Sequence, residues 1–230
     1  MKNSFAEEII KFNQSFDVNF NEILPNDYKI INPFIAFPPA LQSMEKFYTK
    51  YYSDHFSRKF IIGINPGRLG AAITGIPFTD TKRLEDHCNI FMEEVSSHEV
   101  SSVFVYDMIQ AWGGVAFFYQ NYYINSPLPF ALVKKTKNGK WRNANYYDSS
   151  ILFEALKNVM INSLELQLSW NLNKESVIIL GKKNADFIKR LFKEMQFYPK
   201  ITVLEHPRYI QQYKFKERDF YIEKYLQNLD

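Results

Sequence analysis

Residues 60–80, FIIGINPGRLGAAITGIPFTD, limit what this chain can fold into more than any other stretch. Phe60, Ile61, Ile62 and Ile64 form a short apolar run of β-branched and aromatic residues, the pattern of a strand covered by helices on both faces. A loop begins at Asn65. Pro66 fixes one φ angle, and Gly67, Gly70 and Gly75 permit positive φ or close approach, so the loop can be held rigid with its backbone against a planar ligand. The chain has 8 glycines and 10 prolines, and five of these lie between Pro66 and Pro77. Taken alone, that concentration fits a complicated surface turn as well as it fits a binding loop.

The remaining elements alternate. Residues 4–14 and 38–54 read as amphipathic helices around an irregular stretch at 23–39, with Phe47, Tyr51 and Tyr52 facing inward. Thr79 or Asp80 can cap a helix that runs to about Met92. Ser101–Tyr106 reads as a second strand with Asp107 at its carboxyl end. An aromatic block from Val115 to Tyr123 leads into Asn125-Ser126-Pro127-Leu128-Pro129-Phe130, a strand end and a proline-rich loop. Asn138-Gly139 suits a type I′ turn in a hairpin of Ala131–Thr136 with Trp141–Asn145. Asp148, Ser149 or Ser150 can cap a helix over 150–168 whose apolar stripe is Ile151, Leu152, Ala155, Leu156, Val159 and Met160. Ser176–Leu180 and Ile201–Leu204 are the third and fourth strands, separated by a helix over Lys182–Met195. A turn or short helix and a final helix follow Tyr209. Strands that alternate with helices imply right-handed crossovers. The expected fold is therefore one α/β domain over residues 1–230, a three-layer sandwich with a central four-stranded parallel sheet flanked by helices. Ligands of such sheets sit beyond the carboxyl ends of the strands, a rule that gathers Asn65, Asp107, Gly181 and His206 at one edge.

Composition narrows the function classes. A single cysteine, Cys88, excludes an internal disulfide framework and a four-cysteine iron–sulfur cluster. His87 beside it lacks a second pair to complete a metal site, so no metal is expected. With no signal peptide and no apolar run of spanning length, the expectation is a soluble, cytoplasmic chain, nucleoid-associated if prokaryotic, with no membrane partner; a monomer is expected. The net charge of +3 is mild, but Lys134, Lys135, Lys137, Lys140 and Arg142 cluster without a carboxylate between Val133 and Tyr147. Such a cluster is either a solvated face or a phosphate-contacting surface. Aromatic residues make up 17% of the chain, and any that reach the surface would suit stacking on bases. No Walker or G-x-G-x-x-G phosphate loop is present, which weakens a nucleotide-binding enzyme as a reading.

Gly63, Asn65, Pro66, Gly67, Gly70, Thr74, Gly75, Pro77 and Phe78 fall in register with the first motif of the uracil-DNA glycosylase superfamily. The stretch most resembles the single-strand-selective monofunctional branch. Asn125 before Ser126-Pro127-Leu128 is similar to the family's pyrimidine-reading segment, with Ser126 where Cys is usual, and His206-Pro207 to its last motif. After that pair the family has Ser-Pro-Arg-Asn where this chain has Arg208-Tyr209-Ile210-Gln211, so the strand-opening wedge is left unassigned. The resemblance spans residues 60 to 207 and implies excision of uracil or a related deaminated base from DNA, single- or double-stranded. It implies catalytic roles for Asn65, which would place water, and His206, which would stabilise negative charge at O2. It also implies that Phe78 stacks on the base, that Asn125 reads its imide edge, and that Gly63, Ile64, Pro66, Gly67, Gly70 and Ala71 line the pocket. DNA contacts would come from Lys134, Lys135, Lys137, Lys140, Arg208, Tyr209 and Lys214. No cofactor is implied, and no lysine suggests Schiff-base lyase chemistry. The alternative is a nucleic-acid-binding module that keeps the pocket without turnover, and an abasic-site assay separates the two.

Overall fold

The computed structural model describes residues 3–229. In chain order its helices and strands are α1 (Phe5–Ser15), β1 (Tyr28–Ile31), α2 (Pro33–Ala36), α3 (Pro38–Tyr52), β2 (Arg58–Ile62), α4 (Ala71–Thr74), α5 (Thr81–Cys88), α6 (Val100–Trp112), α7 (Val115–Asn121) and β3 (Tyr122–Asn125). The second half continues with β4 (Ala131–Lys135), β5 (Trp141–Asn143), α8 (Ser150–Leu168), β6 (Leu172–Leu180), α9 (Lys182–Glu194), β7 (Lys200–Leu204), α10 (Pro207–Tyr213) and α11 (Arg218–Leu226).

Four parallel strands in the order β3-β2-β6-β7 form the central sheet, with helices on both faces. Ile62 pairs with Asn125 on one side and Ile179 on the other, and Leu180 pairs with Leu204, so all four strands end at one level. Phe60, Ile62 and Ile179 have no exposed surface, as a sheet covered on both faces requires. A second, antiparallel sheet, β1-β4-β5, stands beside it.

The expected second strand is a correction. Ser101–Tyr106 lies inside α6, and the fourth member of the sheet is instead Tyr122–Asn125. Phe104, Val105, Tyr106, Met108 and Ile109 are all buried, because α6 is overlaid by α10 and α11 and flanked by α5 and α7. A helix buried on nearly every side has the same continuous apolar run as a covered strand, and periodicity cannot separate the two. Asp107 therefore does not stand at the sheet edge. It sits on α6 and pairs with Arg218, 3.0 Å away.

Other boundaries shift for local reasons. Asp80 does cap α5, accepting from the Arg83 amide at 2.9 Å, but Asn89 at φ 52 ends that helix at Cys88, short of Met92. Cys88 is buried and lies 3.4 Å from the Tyr106 hydroxyl. The 23–39 stretch is less irregular than expected, because β1 pairs with β4 there. In the β4–β5 hairpin only Gly139 has positive φ, and its amide reaches Thr136 O at 2.9 Å, so the connection is a type I turn closed by a left-handed glycine and not type I′. Ile151 is exposed, and the buried face of α8 runs through Leu152, Phe153, Leu156 and Met160.

Candidate active site

Beyond the level carboxyl ends of the strands lies an inner pocket of about 30 Å³, lined by Gly63, Asn65, Pro66, Gly67, Phe78, Glu99 and Asn125 among others. It shares walls with an outer cavity of about 300 Å³ that adds Asn143, Asn145, His206 and Arg208. A larger groove, about 640 Å³, lies instead at the amino ends of β2 and β6. Glu7 and Ser4 there are already engaged in the capping box of α1, so neither is free to meet a ligand.

The loop after β2 is held from within. Thr74 Oγ1 donates to Thr79 O at 2.6 Å and accepts from the Ile76 amide at 3.2 Å, and Ser43 donates to Thr74 O at 2.7 Å. Gly75 closes α4 at φ +74, and a β-carbon built on it would lie 2.7 Å from the Phe34 ring and 2.9 Å from Ala40 O. Only glycine fits there on both counts. Phe78 stands at φ 52, a conformation costly for an aromatic residue and concentrated at functional sites. Its ring lines the pocket with its centroid 5.7 Å from that of His206.

Each polar side chain is oriented by a partner. Asn65 Nδ2 donates to Ala144 O at 3.1 Å and Oδ1 accepts from the Tyr146 amide at 3.3 Å, which fixes the amide plane. Asn125 is buried at the end of β3, its Nδ2 donating to the Tyr123 hydroxyl at 2.6 Å; Tyr123 donates on to Gln167, which donates to Ser163 and to Ser126 O. That chain leaves Oδ1 and one amide hydrogen of Asn125 for the pocket. Asn184 on α9 donates to Gly63 O at 3.1 Å and Leu180 O at 3.1 Å and accepts from the Tyr146 hydroxyl, tying the ends of β2 and β6 to the segment that holds Asn65.

His206 caps α10, its Nδ1 accepting from the Arg208 amide at 3.2 Å. An accepting Nδ1 places the ring proton on Nε2. Burial, with the Arg208 charge as a lesser cause, pushes its pKa down to about 4, so the ring is a neutral donor near pH 7.

The expected residues divide. Asn65, Phe78, Asn125 and His206, with Gly63, Ile64, Pro66, Gly67 and Ala71, line the two cavities; Gly70 backs them as the residue before α4. Lys134, Lys135, Lys137 and Lys140 are exposed on the hairpin, and Asn143 at the end of β5 carries that hairpin to the cavity rim, where it accepts from the Arg68 amide at 3.2 Å. Lys134 is drawn to Asp27 at 3.3 Å and Lys214 to Glu217 at 2.8 Å, so neither is a free cation. Arg208 and Tyr209 are exposed on the first turn of α10, where Tyr209 packs against Tyr213 with ring centroids 5.7 Å apart.

Glu99, Asn143, Asn145 and Asn184 escaped the sequence reading. Glu99 precedes α6, and its amide donates to Asp80 Oδ2 at 2.9 Å. Its side chain lies against the motif loop: a β-carbon built on Gly67 would be 2.9 Å from Oε1, and one on Gly70 would be 2.0 Å from Oε2. No local pattern in EEVSSHEVSS signals this, since the approach is tertiary.

The family model described as the uracil DNA glycosylase superfamily matches residues 49–230. A comparison with curated proteins gives no match. Among solved structures, the crystal structure of wild-type SMUG2 from Pedobacter heparinus is similar at 42% identity and a TM-score of 0.93, the match covering 98% of this chain and 96% of that one.

Proposed function

Because this chain belongs to the uracil DNA glycosylase superfamily, we propose that it hydrolyses the N-glycosidic bond of uracil or a related deaminated base in DNA, as a monofunctional glycosylase. The target base must leave the helical stack to reach a pocket this deep. Phe78 then stacks on its face, and Asn125 accepts from N3–H while donating to O4, using the two groups that Tyr123 leaves free. Asn65 holds a water on the sugar side. As the C1′–N1 bond breaks, its electron pair leaves with the base, the water oxygen bonds to C1′, and one water proton ends on the released base.

The observation that carries this reading is the neutral His206. A ring whose Nδ1 already accepts, and whose pKa is pushed down to about 4, offers Nε2–H to the developing charge on O2 without itself giving up a proton. Such preorganised donors are worth roughly 10²–10³ in rate. The exposed hairpin lysines and Arg208 would bind phosphates, and the exposed rings of Trp141 and Tyr209 would stack on unpaired neighbours.

The test is abasic-site formation on a uracil-containing oligonucleotide, with hypoxanthine and xanthine substrates in parallel, on single and double strands. Uracil should yield abasic sites that break only on alkali treatment. Folded protein that binds the strands and leaves every base attached would make the chain a binding module.

A further inference from the structure

Glu99 is the one carboxylate lining either cavity among the described residues, and the glycosylase reading gives it no task. Its Oε2 is sealed from solvent with no hydrogen-bond partner. A buried carboxyl oxygen without a partner is costly and calls for an explanation beyond packing. The loop packs closely on the group: a β-carbon at Gly70 would lie 2.0 Å from Oε2 and 3.1 Å from the Glu99 β-carbon, so a side chain there would displace the carboxylate. The same cavity walls carry Asn65, two residues before Gly67.

Asn65 poses a chemical problem that Glu99 answers. An amide can hold a water but cannot take its proton, and both ends of this amide are already fixed by Ala144 and Tyr146. Resting on the glycosylase reading, we propose that Glu99 is a catalytic residue, the base that accepts a proton from the water held by Asn65. In the step, one water O–H bond passes its proton to the Glu99 carboxylate while the oxygen bonds to C1′. The C1′–N1 pair departs with the base, and the protonated Glu99 then returns its proton to the released anion.

The surroundings suit that task. Burial, the largest cause, raises the Glu99 pKa to about 7; the Ser101 hydroxyl lowers it, the Asp80 charge raises it and Arg208 lowers it. Asp80 is itself paired with Arg83 at 3.2 Å and lies 3.5 Å from His98, and His206 across the cavity is uncharged near neutrality. A base poised near the working pH is the most effective one.

Single-turnover excision of uracil from a single-stranded oligonucleotide, measured from pH 5.5 to 8.5, tests the assignment. The wild-type rate should climb about tenfold per pH unit below roughly 7 and level off above it. Glu99→Gln should be about 10²-fold slower at pH 8 with no ascending limb, while binding an abasic-site oligonucleotide as the wild type does. Glu99→Asp, which keeps the carboxylate, should recover part of the rate and the limb. A flat wild-type profile, or a Glu99→Gln variant with the wild-type rate and limb, would overturn the role of Glu99 and leave the glycosylase reading standing. A wild-type chain that excises no base at any pH would overturn both.

Discussion

The two ends of the central sheet treat buried polar groups in opposite ways. At the amino end, Arg58 is wholly buried, and every donor it has is used. Nε donates to Tyr119 O at 2.7 Å, Nη1 to Asp54 Oδ1 and Phe56 O, and Nη2 to Asp54 Oδ2 and Tyr51 O. The rings of Phe5 and Tyr52 lie 4.8 and 4.5 Å from its guanidinium carbon. At the carboxyl end, Glu99 Oε2 has no partner, half of the Asn125 amide faces an open pocket, His206 is kept neutral, and Phe78 holds a backbone conformation that aromatic residues avoid. Satisfied polar groups stabilise a fold. Groups left partly unsatisfied by a rigid frame are kept in readiness for a ligand, at some expense in stability.

Mutating both ends in parallel breaks or sharpens this contrast. Arg58→Met takes the guanidinium away from the Asp54 carboxylate and from three backbone carbonyls, and should lower stability by about 3 kcal/mol or more, roughly 6 °C or more in Tm. Activity per folded molecule should survive. Asn65→Ala and His206→Ala should do the reverse, each cutting single-turnover excision about 10²-fold, about 2.7 kcal/mol of transition-state stabilisation, with Tm little changed. Thermal melts beside single-turnover assays decide the matter, and the contrast fails if either carboxyl-end variant melts as early as Arg58→Met.

The smallest effect lies on the hairpin. Neutralising Lys135, Lys137 and Lys140 together should flatten the slope of log affinity against log salt by about one unit per lost phosphate contact. Lys134→Ala should change it less, because Asp27 already engages that ammonium. An unchanged slope for the triple variant would make the cluster a solvated face.

Legibility in the sequence follows the same division between local and tertiary causes. The strand and loop at Phe60–Asp80 could be read because glycine and proline encode backbone geometry where they stand. His206 could be read because strand ends in a parallel sheet gather their ligands. The strand Tyr122–Asn125 was hidden, since α7 runs into it at Tyr122 with no breaker between, and α6 resembled a strand because its neighbours bury nearly all of it. Glu99 left no trace in the sequence, because what matters is the approach of the α6 amino end, held by Asp80, to Gly67 and Gly70. The Asn65 clamp likewise depends on Ala144 and Tyr146, some eighty residues away in the chain.

The reading of the carboxyl end as a base pocket stands or falls most directly at Asn125. Its amide can donate to O4 and accept from N3–H at once, whereas an ionised Asp in its place can only accept. Single-turnover removal of uracil from a single strand should therefore be about 10²-fold or more slower for Asn125→Asp than for the wild type at matched folded concentration. Removal at the wild-type rate by a correctly folded Asn125→Asp would contradict the account, leaving Asn125 as the last residue of a strand and the pocket without its reader.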